Sequence, residues 1–417
     1  MKDFIHRITP SFVLKAYHLA WAHGSAMYYG HPSKKLIVIG VTGTKGKSTT
    51  AELIRTMLVG TGHKVALAST IRFMIDNAVE RNLYKMTMPG RGVLQKFMRD
   101  AADAGCTHVV MEMTSEGTLQ YRERGIELSA LVFTNLAPEH IERHGSYKAY
   151  VAAKLSLAEH LSTSSKRPRI IVVNADDAHG KEFLAVDADI KAPFSLKDAE
   201  PYTADDKSVR FVWQGTLFTI PLPGLFNLKN CLATLTLGKA LGLGVEKMKQ
   251  ALERVEPVAG RAQRIEQGQP FAVVVDYAHT PDSLKALYET YASAGKRLVC
   301  VLGSTGGGRD TWKRPEMGAM ADAVCDIAIL TDEDPYDEDP RKIIEELSTG
   351  FKNRQPRVIL DRRAAIAEAL KEARDQDDAV LITGKGTDPY IMGPNGTKQV
   401  WSDAQVAQEE LIKLGYN

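Results

Sequence analysis

From about residue 36, short runs that are apolar throughout alternate with stretches whose apolar residues recur every three or four positions. LIVIGVTG (36–43), KVALAST (64–70), HVVMEMTS (108–115), ALVFTNL (130–136) and RIIVVNADD (169–177) read as strands buried on both faces. Between them lie helical patterns such as 48–59, where Leu53, Ile54, Met57 and Leu58 share a face and Gly60 follows as a stop. This alternation predicts an α/β fold with a parallel sheet covered on both sides.

The pattern changes over 192–223. There VRFVWQG and TLFTIPL read as short antiparallel strands, and a helical stretch covers about 227–254. A second strand–helix series starts near 270 with FAVVVDYA, RLVCVLGS, DIAILTDE, RVILD and AVLITGKG. The expected organisation is a short N-terminal helical segment (1–35), a central parallel-sheet ATPase domain of the P-loop type (36–260) and a C-terminal Rossmann-like domain (261–417). Gly260-Arg261, after Pro257, is the expected hinge. No internal repeat is present.

Composition narrows the function classes. The 417 residues allow two or three cores, and no tract is of low complexity. Lys+Arg 53 against Asp+Glu 51 leaves +2, which argues against a nucleic-acid binder that neutralises phosphates over a broad surface. Cys106, Cys231, Cys300 and Cys325 form no CxxC pair and read as buried thiols of a reducing cytosol, not disulfides or a zinc site. Residues 12–30 are fairly apolar, but Lys15, His18 and His23 interrupt them and no small-residue cleavage site follows. They read as a helix packed on the body of a cytoplasmic protein, with peripheral membrane contact as the alternative and neither a secretory signal nor a membrane span.

The chemistry concentrates at GVTGTKGKSTT (40–50), where a strand ends and a helix opens. Gly43 and Gly46 let backbone amides approach phosphate oxygens, Lys47 offers charge to the β/γ-phosphates, and the Ser48 hydroxyl suits magnesium. The usual first glycine of such a loop falls at Val41, so the loop is a variant. Gly43, Thr44, Lys45, Gly46, Lys47, Ser48 and Thr49 are therefore the candidate triphosphate cradle. Glu112, ending HVVMEM, stands where ligands gather in open α/β sheets and is a second candidate for magnesium; a solvated strand-end acid is the bland alternative. His140 follows the fourth strand and taken alone reads as a loop histidine. Lys154 lies within the apolar stripe Tyr147, Tyr150, Val151, Leu155, Ala158 and Leu161 of its helix, which points it inward. A snorkelling lysine explains this, but a lysine carbamylated by carbon dioxide would instead offer oxygen to a metal.

Nine segments in order over residues 40–388 carry a resemblance: GTKGKSTT, MEMTSE, TNLAPEHIERHGSYKAYVAAK, VVNADD, LPGLFNLKN, GRAQR, VDYAHTPDSL, RDTWKRPEMG and GKGTD. Together they resemble the Mur ligases, with VDYAHTPDSL and KRPEMG pointing to the tripeptide-synthetase branch. The resemblance implies an ATP-dependent ligase that joins an amino acid to a carboxylate through an acyl phosphate, in peptidoglycan precursor synthesis. It implies two magnesium ions, one held by Ser48 and Glu112 and one by His140 and carbamylated Lys154. Asn227 and Asn230 match the asparagines near the adenine, Asp276 the ribose contact, Arg261 a phosphate-contacting arginine, and His279 a segment near the nucleotide. Lys47, Lys154, His140 and Arg261 are the implied catalytic set. Thr87, Thr114, Ser115, Asp334, Tyr336, Gly384 and Asp388 fall on the substrate side. The partners implied are small molecules, and the expected state is a monomer.

Three departures matter. The phosphate loop begins near residue 40, leaving room for only a helix or two where the family's tripeptide synthetases grip UDP. In DEDPYDEDP (332–340), Tyr336 replaces the arginine of diaminopimelate-adding enzymes, which makes lysine or another amino acid an open choice. The acid excess of that loop could attract a cationic side chain or be a plain solvated loop. The family's GKGHE is GKGTD, and Glu116 stands where the family has histidine. The alternatives are a folylpolyglutamate-synthase-like or poly-γ-glutamate-type ligase and, in a different class, a P-loop ATPase switch without ligation.

Overall fold

A computed structural model describes residues 11–84, 86–139 and 141–417. The chain forms two compact units. One runs to Glu200 and includes Trp213–Thr216 and Lys229–Glu253; the other comprises Pro201–Val212, Leu217–Leu228 and Arg254–Asn417.

The first unit is built on an eight-stranded sheet. Its strands are β1 (Ile37–Thr42), β2 (Val65–Ala68), β3 (Arg72–Ile75), β4 (Ala78–Arg81), β5 (His108–Glu112), β6 (Ala130–Phe133), β7 (Ile170–Asn174) and β8 (Ile190–Phe194). Their order is β4-β3-β2-β5-β1-β6-β7-β8. The strands from β2 to β8 run parallel, with β3 and β4 added as an antiparallel hairpin at one edge. The central strands are buried, apart from Ile37 at the start of β1, as their unbroken apolar runs predict. Val41 pairs with Glu112 and Thr42 with Phe133, so the phosphate loop leaves the middle of the sheet.

In the second unit, β9 (Tyr202–Ala204), β10 (Val209–Trp213) and β11 (Thr216–Ile220) form a small antiparallel sheet. Most of this sheet groups with the C-terminal residues, although it lies within the 36–260 span expected for the central domain. The main sheet contains β12 (Gln263–Arg264), β13 (Ala272–Asp276), β14 (Arg297–Leu302), β15 (Ile327–Leu330), β16 (Arg357–Val358) and β17 (Asp378–Thr383), in the order β12-β13-β17-β14-β15-β16. Side chains alternate between two cores. Val274, Leu298 and Cys300 enter one; Val273, Val299 and Val301 enter the other. A hairpin, β18 (Tyr390–Met392) and β19 (Lys398–Val400), follows.

One expectation is corrected here. Cys106 and Cys231 are free and buried, but Cys300 and Cys325 are joined by a disulfide. The crossover from β14 through the helix Lys313–Val324 returns the chain beside its starting strand, bringing the two Cα atoms to 6.1 Å across 25 residues of sequence.

Candidate active site

In the first unit the helix Lys47–Gly60 opens directly from the loop, with Gly46 as its cap at φ +81°. A Cβ on Gly46 would meet Asn230 Oδ1 at 2.4 Å, so a side chain there is excluded by space as well as by backbone conformation. Neighbouring strand ends hold the loop. The Thr44 amide donates to Asn135 O (2.8 Å), the Lys45 amide to Asn135 Oδ1 (2.9 Å), and Thr134 Oγ1 to Lys45 O (2.7 Å). The Thr44 hydroxyl bonds that of Tyr150 at 2.9 Å.

Three ammonium groups converge on this loop. Lys47 Nζ donates to Gly43 O (3.0 Å) and Thr44 O (2.9 Å), and Lys154 Nζ donates to Gly43 O at 2.7 Å. Lys45 pairs with Glu139 at 2.8 Å. Lys154 is only 2% exposed. Burial, reinforced by the charge of Lys47, drives its pKa well below that of an ordinary lysine. A helix N-terminus lined by Lys45, Lys47 and Lys154, with amides and ammonium groups facing the loop, is suited to an anion.

Glu112 is fully buried at the end of β5. Thr70 holds both its oxygens, through its amide (2.7 Å) and hydroxyl (3.0 Å), and that hydroxyl reaches Thr87 Oγ1 at 2.8 Å. Thr114 caps the helix Ser115–Leu119, and Ser115 Oγ lies 3.1 Å from His144 Nε2. Thr70 and His144 are contacts not singled out from the sequence: Thr70 falls outside the nine segments of the resemblance, and His144 lies within TNLAPEHIERHGSYKAYVAAK, where His140 is the histidine that draws notice. Asn230 Oδ1 accepts from Thr50 Oγ1 at 3.2 Å. His140 lies outside the described residues.

In the second unit, the Asp276 carboxylate accepts the amides of Ala262 and Ala278, each at 2.6 Å. The Arg261 guanidinium lies 4.5 Å from the Tyr277 ring centroid, and His279 Nδ1 is 2.6 Å from Tyr277 O. Asn227 Nδ2 donates to Pro223 O at 2.8 Å.

The acidic loop is not simply solvated. Lys385, 1% exposed, donates to Asp334 (2.8 Å) and Asp388 (3.1 Å). Burial alone would lower its pKa, but the carboxylates of Asp334, Asp388 and Glu333 outweigh it and keep it charged. Arg314 pairs with Glu338 (2.7 Å), Asp337 accepts the Asn395 amide (2.6 Å), and Asp339 caps the helix Pro340–Ser348. Glu333 differs. Oε1 accepts from Thr305 at 2.7 Å, while the buried Oε2 has no hydrogen-bond partner, and burial raises its pKa. Gly384 (φ +105°) passes so close to Glu333 Oε2 that a Cβ would lie at 2.2 Å. Arg309 lies 5.9 Å from the ring centroid of Tyr336, which itself sits at φ +54°. A cation thus returns to the place where the loop sequence offers only a tyrosine, a pairing invisible in the local motif. The same loop and the hairpin β18–β19 line a cleft of about 780 Å³.

The Mur ligase middle domain matches residues 41–238, and the Mur ligase, glutamate ligase domain matches residues 260–386. The UDP-N-acetylmuramyl-tripeptide synthetase of Roseiflexus sp. (strain RS-1) is 37% identical over 426 residues, spanning 95% of this chain and 83% of that protein. The chain belongs to the Mur ligase family. Like other Mur ligases it is an ATP-dependent enzyme that forms a carbon–nitrogen amide bond, in a family serving peptidoglycan precursor synthesis. A second relative is the UDP-N-acetylmuramoyl-L-alanyl-D-glutamate–2,6-diaminopimelate ligase of Halalkalibacterium halodurans, 33% identical across 96% of this chain and 84% of its own. A solved structure of a ligase with that same activity in its name aligns with TM-score 0.62 at 28% identity, over 96% of this chain and 83% of that one. The folylpolyglutamate synthase of Mycobacterium tuberculosis, complexed with ADP and AMPPCP, aligns with TM-score 0.72 over 88% of this chain and 93% of its own. At 18% identity that likeness concerns the fold alone.

Proposed function

We propose that this Mur ligase adds an amino acid to the terminal carboxylate of a UDP-muramoyl peptide. The observation that carries the reading is the convergence of Lys47 and buried Lys154 on the carbonyl of Gly43, at the mouth of a loop shaped for phosphate. The names of the two relatives support the acceptor.

In this reading the first unit holds the triphosphate with the amides of Gly43–Thr49 and the Lys47 charge, and Asn230 stands toward the base. An acceptor carboxylate oxygen attacks the γ-phosphorus, the β–γ bridge breaks, and ADP leaves. The amine of the amino acid then attacks the acyl carbon, phosphate departs, and the nitrogen gives up a proton. Thr87, Thr114 and Ser115 are the acceptor-side residues. The second unit supplies Asn227, Arg261, Asp276 and His279 as nucleotide contacts, and Asp334, Tyr336, Gly384 and Asp388 on the amino-acid side. Glu333 Oε2 is the natural acceptor there for an ammonium group.

The donor set suits magnesium once Lys154 is carbamylated. Ser48 hydroxyl, Glu112 carboxylate and a lysine carbamate are all oxygen donors, whereas a bare ammonium is not. The depressed Lys154 pKa favours the neutral amine, the form that reacts with carbon dioxide. Two bound magnesium ions, with His140 completing the second site, would offset the repulsion between phosphates and carboxylate. The proposed setting is the cytoplasm and the proposed state a monomer; among the described residues no helix is long and apolar enough to cross a membrane.

The test incubates the protein with ATP, magnesium and either UDP-muramoyl-dipeptide or a folate, against a panel of amino acids, following phosphate release and product mass. Release that requires the muramoyl acceptor and one amino acid supports the proposal. Release with folate and glutamate alone favours the folylpolyglutamate-type reading, and acceptor-independent release favours a switch.

A further inference from the structure

The helix Ser11–Tyr28 distributes its side chains in an unusual way. Its inner face is made of small residues: Ala22 and Ala26 are fully buried and Ser25 nearly so. The reason is close packing. A Cβ on Gly125 would lie 3.0 Å from Ala26 Cβ and 3.1 Å from Ala22 O, and one on Gly92 would lie 3.8 Å from Ser25 Oγ. The helix backbone rests almost directly on the body, so its bulky residues must point elsewhere.

They point to solvent. Val13 is 42% exposed, Tyr17 60%, Trp21 55%, Met27 71% and Tyr28 82%. At about 100° per residue, Val13, Tyr17, Trp21, Gly24, Met27 and Tyr28 fall on one outward stripe. An ordinary surface helix turns polar residues outward, and a contiguous apolar stripe rimmed by charge marks a contact surface.

Charge selects the contact. In a chain nearly balanced overall, no Asp or Glu occurs between Asp3 and Glu52. Within that stretch lie Arg7, Lys15, Lys34 and Lys35, ahead of the phosphate loop. Lys34 and Lys35, just past the end of the helix, are exposed; Lys15 is exposed too but falls on the opposite side of the helix from the stripe. Three acids on neighbouring elements are paired: Asp100 with Lys96 (2.6 Å), Asp103 with Arg99 (2.8 Å), and Glu127 with the Ser165 amide (2.8 Å). Tryptophan and tyrosine near lysine are the residue types that settle at the headgroup level of a bilayer, and a segment with lysines and no acids is drawn to anionic lipid.

We propose that the helix Ser11–Tyr28 lays its Val13–Tyr17–Trp21–Tyr28 stripe into the headgroup region of an anionic lipid bilayer, holding the enzyme at the membrane surface. The helix does not cross it. The proposal is independent of the acceptor assigned above.

The test sediments the full-length protein with vesicles of phosphatidylcholine alone or mixed with phosphatidylglycerol, and measures its self-association by light scattering without lipid. The expected result is co-sedimentation with the anionic vesicles only, weakened by salt. Lys34→Glu and Lys35→Glu should each weaken it about fivefold or more. The double variant Tyr17→Ser, Trp21→Ser should abolish it while leaving ATP turnover intact. Absence of sedimentation, or equal sedimentation with both vesicle types, overturns the proposal. A dimer that the double variant dissociates overturns it in favour of a second copy on the same stripe.

Discussion

Lys154 Nζ donates to the carbonyl of Gly43 at 2.7 Å, joining a helix to the phosphate loop across 111 residues of sequence. The amine is buried beside Lys47, and both Nζ atoms donate to the one carbonyl. Lys154→Ala should lower ligation by at least about a hundredfold, with partial recovery when formate or acetate is added to take the place of the carbamate. Intact-protein mass in bicarbonate buffer should show an adduct of carbon dioxide that the variant lacks. Full activity in the variant would remove this role.

Lys47→Ala should abolish ATP turnover with every acceptor, because its ammonium is tied to the carbonyls of both Gly43 and Thr44 at the mouth of the loop. Phosphate release at saturating ATP is the measurement. Turnover at the parental rate would take the triphosphate away from this loop.

Gly46→Ala tests the cradle by shape, leaving charge untouched. The new Cβ would collide with Asn230 Oδ1 and sit at φ +81°, so either the loop or the Asn230 side chain must shift and the strained backbone remains. Nucleotide affinity, followed by calorimetry, should fall at least tenfold, about 1.4 kcal/mol. Unchanged affinity would mean that the helix N-terminus at Lys47 does not bind the triphosphate.

Glu123 gives a pH prediction for folding. Burial raises its carboxyl pKa to about 7 from an ordinary 4.5. The folded state therefore holds a proton that the unfolded state has released between those values. Its stabilising effect is complete below about 4.5 and is lost as pH rises through 7. The decline is at most about 1.4 kcal/mol per pH unit. Glu123→Gln should flatten that part of the melting temperature against pH; an unchanged slope would assign it to another group.

The parallel sheets were legible because buried strands are apolar throughout, as in β1 and β5, and their helices carry one apolar face. Lys154 was legible for the same reason: a charge inside an apolar stripe is conspicuous. The edge hairpin β3–β4 was not, since Arg72–Arg81 mixes charged and apolar residues without strong alternation and β4 is exposed along its length. The partnership of Glu112 with Thr70, the approach of Arg309 to Tyr336 and the bond between Cys300 and Cys325 all join residues from separate elements. No local spacing encodes such pairs; they arise from how strands order themselves in a sheet. The open oxygen of Glu333 was hidden for a related reason, because six neighbouring acids look alike in sequence and only folding gives most of them a partner.

Val41 stands where a phosphate loop of the common form would begin with glycine. Here it is still strand, fully buried and paired with Glu112, and the chain does not turn until Gly43. Any text pattern that demands glycine at the first position would pass over this gene, although the turn it seeks is present. Ligases of this kind are better sought in genomes by the three-way tie between a loop carbonyl, the lysine of the loop and an inward lysine on a distant helix.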